Sequence, residues 1–405
     1  MSVLSDVHEG DIVSSYIKKQ KKYDIAVIGG GIAGISAALS AARLGKKVVL
    51  AESSYILGGL ATSGLVTIYL PLCDGLGRQV SFGIAEELLK LSISYGSEGD
   101  YPSAWLNSDE CNVSVRKNSR YLTRFNPHVF AILCEKLLLE NGVEIIFGAK
   151  ISELKKNSDR DTVLSVSLLT NTDAYEIIAD SFIDCTGDAS VFYLFGAETV
   201  LPEHKNADAA WYYEVKEGEF KLKQIGNCSY IYSTSEYHGI SGLDSEENTL
   251  EVISSHARII DDFLKNGKVS QNHAIATLPT IPQIRMSRMI KGVCRINKND
   301  DKKYVQSSVG MFPSWLEKGP VFELPIESLY CSSIKNLCTA GRSISVEGDD
   351  MWDITRVIPV CAVSGEAAGV LAAVSSDFKI AYLKGIQNIL TGRGVKLHLS
   401  DITNF

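Results

Sequence analysis

Tyr23-Asp24-Ile25-Ala26-Val27-Ile28 is a short, almost continuous apolar run, the pattern of a parallel strand covered on both faces. Six residues follow with four glycines among them, then the alanine-rich stretch Ile35 to Leu44, closed by Gly45. That stretch predicts a helix with a glycine stop. A second apolar strand, Lys47 to Ala51, ends on Glu52. Further along, Asn126-Pro127-His128 opens a predicted helix that runs to Asn141-Gly142, with asparagine as cap and proline in the first turn. Val143 to Phe147 reads as a strand and Thr162 to Ile178 as a hairpin. The most apolar stretch, Val357 to Val374, is broken by Ser364, Gly365, Glu366 and Gly369, so it reads as a buried helix rather than a membrane span.

Length and composition narrow the class. A chain of 405 residues exceeds what one core usually organises, which predicts two closely packed domains. Its hydrophobic fraction of 45% and charged fraction of 22% are those of a soluble globular protein. A net charge of −8 argues against a surface made to neutralise a phosphate backbone, so no nucleic-acid partner is expected. The nine cysteines form no C-x-x-C pair and no zinc-type spacing, and no H-x-x-H occurs; we expect free thiols, no metal site and a reducing, cytoplasmic setting. Residues 1–22 are polar, end in Lys18-Lys19-Gln20-Lys21-Lys22, and lack the apolar core of a signal peptide. We take them as a lead outside the fold.

The glycines carry the first chemistry. Gly29, Gly31 and Gly34 fit G-x-G-x-x-G between a strand and a helix. The first permits the tight turn, the second lets backbone amides approach a pyrophosphate, and the third lets helix and strand lie close. Ile32 and Ala33, inside the motif, lead into the helix whose N-terminus offers free N–H groups to the anion. Glu52, with Ser53 beside it, stands where a carboxylate accepts hydrogen bonds from an adenosine ribose and repels a 2′-phosphate. A second glycine pair follows at once, in Leu57-Gly58-Gly59-Leu60-Ala61-Thr62-Ser63-Gly64. An NAD domain has no need of it; a flavin enzyme does, because the chain must run along the pyrophosphate and ribityl.

With these motifs the sequence resembles the FAD-dependent oxidoreductases of the glutathione-reductase-like superfamily. Three later segments carry the same resemblance: the chain near Lys150 and Ile151, the turn Cys185-Thr186-Gly187-Asp188, and Ala340-Gly341-Arg342 with the final helix. The resemblance implies FAD as cofactor. It implies contacts from Gly58, Gly59, Leu60, Ala61 and Thr62, from Ile151, from Thr186, Gly187 and Asp188, and from Gly341, Arg342, Val360 and Cys361. The fold implied is α/β: a Rossmann-like FAD-binding domain (residues 23–65, 120–199 and 331–375) with a discontinuous β-rich substrate cap (66–119 and 200–330) and a tail (376–405).

No redox-active cysteine pair follows the first motif, which excludes a disulfide reductase, and no second strand–GxGxxG–helix supplies a separate nicotinamide domain. Electrons then pass to or from the substrate, oxygen or an external carrier. The cap holds most remaining aromatics, among them Trp211, Tyr212, Tyr213, Tyr230, Tyr232, Tyr237, Phe312 and Trp315, which suit a planar or sugar-like substrate or simply a cap sheet. Arg285 and Arg288 share a face if helical and splay if extended; each is an anion clamp or a structural cation. Asp353 and Arg356 fall in the expected loop before the final helix, where Arg356 would polarise a carbonyl, hold the flavin or pair with Asp353, and Asp353 would serve as acid or base. Cys73 reads as a buried thiol or a flavin tether, Arg78 as a cofactor or substrate contact, and His238 as a loop residue or proton shuttle. The leading expectation is hydride transfer between flavin N5 and a small substrate with a C–OH or C–N bond. The alternatives are an enoate-type reductase using Arg285 and Arg356, a flavin subunit of an electron-transfer complex, and a non-redox hydratase or isomerase. A homo-oligomer stays open.

Overall fold

The computed structural model describes residues 17–107, 113–226 and 239–402. A seven-stranded sheet forms its centre. In chain order, β1 (Ile17–Ile28) feeds helix α1 (Ile32–Ala42) and returns as β2 (Val48–Ala51). Helix α2 (Ile84–Ser92) and helix α3 (Pro127–Glu140) precede β3 (Glu144–Ile146), β4 (Lys150–Lys156), β5 (Val163–Leu169) and β6 (Asp173–Asp184). The strand order is β3-β2-β1-β6-β5-β4. β3, β2, β1 and β6 run parallel, whereas β4 and β5 are an antiparallel hairpin on the far side of β6. That hairpin covers only the first half of β6.

The cap interrupts this core. Its main sheet is β7 (Ala209–Lys216), β8 (Glu219–Gly226) and β9 (His273–Thr277), antiparallel in the order β8-β7-β9. Between β8 and β9 lies α4 (Ser245–Lys265), whose Ile259 and Phe263 pack on Ala210 and Tyr212. A second hairpin, β10 (Ser308–Pro313) and β11 (Val321–Pro325), follows. The chain then re-enters the central sheet as β12 (Leu337–Thr339), parallel to the last residues of β6. It ends with α5 (Gly348–Thr355), α6 (Ile358–Val374) and α7 (Leu383–Gly392).

The core is tightest where α6 lies on α1. A Cβ on Gly365 would stand 2.4 Å from the carbonyl oxygen of Ala33, and one on Gly369 2.4 Å from that of Ala37. These two glycines let the helices meet backbone to backbone. Between them Glu366 is buried, and its carboxylate accepts the N–H of Ile84, 2.8 Å away, at the start of α2. Burial raises this carboxyl to about 7, opposed by the Ile84 N–H and by Arg393 and Arg43.

Two sequence expectations need correction. The first strand begins at Ile17, so the basic run belongs to the sheet and not to a lead. Lys19 pairs with Asp173 at 2.6 Å and Lys21 with Glu144 at 2.5 Å, and both ammonium groups lie over Tyr175. A strand with ion pairs on its flank has no apolar run to betray it. Asp353 and Arg356 are not in a loop: Asp353 lies within α5 and Arg356 caps its C-terminus. Beside its sheets the cap also holds helices, three short ones in the first segment and the 21-residue α4 in the second. The C-terminal segment packs into the main core through buried Ile386 and Leu390 of α7. No single helix among the described residues is long and apolar enough to cross a membrane.

Candidate active site

One cleft of about 450 Å³ runs along the C-terminal ends of the parallel strands, where an α/β sheet presents its ligand site. β1 turns into α1 at Gly29, whose φ is +106°; a Cβ there would fall 2.3 Å from the carbonyl oxygen of Cys185. Gly31 faces open space, with nothing of the protein within 4 Å of a Cβ built on it. Gly29, Gly31, Ile32 and Ala33 line the cleft. Gly34 does not: a Cβ there would stand 1.9 Å from the carbonyl oxygen of Gly29, so its part is to let α1 close on the turn.

Glu52 and Ser53 line the same wall at the end of β2. The Glu52 carboxylate accepts the N–H of Gly30 at 2.7 Å and that of Ser54 at 2.7 Å. These bonds aim it without exhausting the lone pairs of its Gly30-facing oxygen. Gly58, Gly59, Leu60 and Ala61 follow along the cleft, with Gly58 bridged to Gly31. Thr62 stands behind them and donates to the carbonyl of Leu57 at 2.5 Å, closing the turn. Lys150 and Ile151 border the opposite side near Glu52.

Thr186, Gly187 and Asp188 line the next stretch. Their turn is folded by Asp184, which accepts the Thr186 hydroxyl at 2.7 Å and the N–H groups of Val191 and Phe192. Asp188 accepts Arg342 at 2.6 Å and the Ser287 hydroxyl at 2.5 Å. Arg342 also donates to the carbonyls of Gly187 and Ile284, tying the β12 turn to the cap. Gly341, Arg342 and Cys361 line the cleft; Val360 is buried behind it. Burial pushes the Cys361 thiol up to about 12, which makes it a neutral wall group.

At the far end stands Arg356, directly before the first turn of α6. Its Nε donates to Asp353 Oδ1 at 2.8 Å, and its guanidinium lies 5.9 Å from the ring centre of Trp315. The Trp315 indole in turn donates to the Asp353 carbonyl at 2.9 Å. Asp353 is fully buried and is not among the lining residues. Arg285 is not among them either. Its guanidinium lies 5.2 Å from the Trp211 ring centre and donates to the Gln283 carbonyl at 2.9 Å. Arg288 turns away, onto Tyr193 and the Asp188 carbonyl. Cys73 is buried with the Tyr121 N–H on its sulfur, Arg78 pairs with Asp74 at 2.7 Å, and neither lines the cleft. Tyr230, Tyr232, Tyr237 and His238 lie outside the described residues.

Several lining residues escaped the sequence reading. Ser63 lies inside the second glycine motif and was within reach of it; its buried hydroxyl has no protein hydrogen-bond partner. Gly242 before α4, Asn248 in its first turn, and Ile281, Pro282 and Ile284 come from distant sequence with no motif to mark them.

The arrangement of glycine turn, helix N-terminus, cleft-lining carboxylate and second glycine pair fits a dinucleotide-binding flavoprotein, and the orphan Ser63 hydroxyl and open Gly31 position fit a long polar cofactor. The chain belongs to the FAD dependent oxidoreductase family, whose model matches residues 24–210 and 301–388. FAD is accordingly its cofactor. The chain is 30% identical over 129 residues to a glutathione reductase of Schizosaccharomyces pombe, covering 32% of this chain and 24% of that protein. It is 33% identical over 75 residues to a thioredoxin reductase of Ureaplasma parvum, covering 18% and 24%. These matches thus span about a quarter of the length of either relative. A solved structure of a geranylgeranyl bacteriochlorophyll reductase-like protein from Thermoplasma acidophilum shares the fold, with TM-score 0.50 and 14% identity over 93% of this chain and 83% of that one.

Proposed function

We propose that this oxidoreductase moves a hydride between FAD and a small organic substrate at a C–OH or C–N bond. Bound FAD supplies the two-electron acceptor or donor. The residues assigned to hold it are Gly29, Gly31, Ile32 and Ala33 at the pyrophosphate, Glu52 and Ser53 at the ribose, and Ile151 beside the adenine. Gly58 to Ala61, Thr186 to Asp188, Gly341, Arg342 and Cys361 form the remaining walls. Gly34, Thr62 and Val360 shape that lining from behind.

The observation that carries the reading is Arg356, a cation at the α6 end of the cleft, oriented by buried Asp353. A guanidinium there stabilises negative charge that develops on a substrate oxygen or on the cofactor, and the N-terminus of α6 adds its dipole. Asp353 acts through Arg356, as a positioning residue. Ile281, Pro282 and Ile284 bring an apolar cap wall that excludes water. The enoate-reductase alternative drew on Arg285 as well, and that side chain stacks on Trp211 instead of lining the cleft. The FAD domain comprises residues 23–65, 120–199 and 331–375, now extended by the start of β1 and by α7; residues 66–119 and 200–330 form the cap. The seven described cysteines are free, which supports a reducing compartment.

Anaerobic titration of the purified holoenzyme with hydroxy acids, sugars, amines and NADH tests this. Loss of the flavin absorbance near ~450 nm with one compound class is expected. Arg356→Lys should slow that step about 100-fold with FAD content unchanged, because a point charge cannot reproduce the fork. A protein bleached by dithionite alone overturns the reading in favour of an electron-transfer subunit.

A further inference from the structure

Helix α4 turns one side toward the protein. Ile259 and Phe263 pack on the cap sheet, and Asn248 lines the cleft. The remaining side carries Leu250, Ile253, Ala257, Ile260 and Leu264, spaced alternately by three and four. At 100° per residue these five fall in a stripe about 80° wide, its centre turned about 140° from Ile259 and about 100° from Phe263. The stripe faces solvent: Leu250 is 67% exposed, Ile253 61%, Ile260 42% and Leu264 53%. Ala257, at its middle, is exposed too. A solvated helix face carries charge at such positions; an apolar stripe repeating every 3.5 residues is the seam of a helix pair.

We propose that α4 pairs with α4 of a second copy of this chain, antiparallel, about a two-fold axis at Ala257. The two-fold sets Leu250 against Leu264 of the second copy and Ile253 against Ile260, apolar to apolar along the whole seam. Ala257, the smallest of the five, falls at the crossing, where the backbones come closest. The flanking charges choose the direction. The helix begins with Asp244, Glu246 and Glu247 and ends with Lys265, with Lys268 just beyond. Antiparallel pairing brings Glu246 toward Lys268 of the second copy, and Asp261 toward Ser254, while Glu247 stays with Lys205 of its own chain at 2.8 Å. Parallel pairing would press Glu246 against its own counterpart, since it continues the stripe by one step. The helix dipoles also oppose one another only in the antiparallel arrangement. A membrane surface fits poorly: Glu246, Glu247, Glu251, Asp261 and Asp262 outnumber Arg258 and Lys265 on this helix, and an anionic bilayer repels that balance.

The holoenzyme in light scattering at micromolar concentration should show twice the chain mass of 44.1 kDa. The double variant Ile253→Glu with Ile260→Glu should fall to the single mass with unchanged FAD content and circular dichroism. Ala257→Cys, a mild change at an exposed position, should be locked as a covalent dimer by oxidation beyond the wild-type background. Leu250→Cys should not, because its two copies stand about 21 Å apart in an antiparallel pair. A monomeric wild type, or a dimer that survives both glutamates, overturns the proposal. Equal crosslinking at both cysteine positions overturns the antiparallel arrangement. A monomer that sediments with phosphatidylcholine–phosphatidylserine vesicles, and loses them in the double variant, assigns the stripe to a lipid surface instead.

Discussion

The two ends of the cleft are built from different materials. At the end proposed to hold the nucleotide the walls are mostly backbone: Gly29, Gly31, the first turn of α1, and the Gly58-Gly59 turn laid against Gly31. Glu52 is the main side chain there, and its own aim is set by backbone N–H groups at 2.7 Å. At the opposite end side chains do the shaping, each held by a partner from another element. Arg342 is fixed by Asp188, Gly187 and Ile284, and Arg356 by Asp353. A site made of backbone depends on local sequence, because glycine and helix start must be adjacent in the chain. A site made of paired side chains depends on what the tertiary fold brings together. The family match has the same grain: it covers the nucleotide fold and passes over residues 211–300, which contribute the cap sheet, α4 and the Ile281–Ile284 wall.

The sharpest break in this comparison is Gly34→Ala. The added methyl would stand 1.9 Å from the carbonyl oxygen of Gly29, in rigid backbone that cannot move aside. We expect a loss of at least about 3 kcal/mol, with little FAD retained, measured by denaturant unfolding and by absorbance. Wild-type stability with full FAD content would show that α1 need not close on the turn.

Next in size is Glu366→Gln, which separates the body of α6 from its first turn at the cleft. The folded protein holds the Glu366 carboxyl at about 7, above the unfolded value of 4.5. Stability owed to the protonated form is therefore complete below pH 4.5 and is lost as pH rises through 7. The amide never ionises, so the variant should match wild type near pH 4.5. It should be more stable at pH 8, by up to about 3 kcal/mol. Thermal unfolding across that range checks this; a constant difference between the two proteins would refute it. Arg393, Arg43 and Glu87 are the neighbouring charges, and their balance is already contained in the shift.

Glu52→Ala comes third and tests the one important side chain of the nucleotide end. Losing hydrogen bonds from a charged acceptor to the ribose costs on the order of 2 kcal/mol, so the FAD dissociation constant should rise about 30-fold. Unchanged cofactor occupancy on dilution would leave Glu52 as no more than a brace for Gly30 and Ser54.

How far the sequence reveals each region follows from the same contrast. β1, α1, β2 and the Asn126-capped α3 are readable because continuous apolar runs, a glycine turn and a cap signal are local, and the structure bears them out. The start of β1 at Ile17 is hidden because its lysines are satisfied by Asp173 and Glu144, more than a hundred residues away. α4 does have a helical period to read, since Val252, Ile253, Ile259, Ile260, Phe263 and Leu264 share one broad apolar side, whereas its neighbours' aromatics point to strands. Arg285 shows the limit most clearly: an arginine in an unusual segment invites a catalytic role from sequence, and only the fold shows what its guanidinium faces.

Arg285→Ala accordingly has the smallest expected effect on chemistry. The guanidinium stacks on Trp211, and the backbone N–H of Arg285 is held by Asn206 at 2.8 Å, a bond that alanine keeps. Removing the side chain loses packing over the indole, a cost of about 1 kcal/mol in stability, and leaves Arg356 and the cleft walls in place. We expect FAD content to be unchanged and kcat/KM to fall by less than about threefold. Arg285→Lys separates this from a role in the reaction. Lysine keeps the charge and loses the planar stack, so a structural Arg285 gives the same small loss in both variants. A drop of a hundredfold or more in kcat for either one, with stability intact, would mean that the wall at Trp211 opens on substrate. The cap end of the cleft would then hold two reacting cations in place of one.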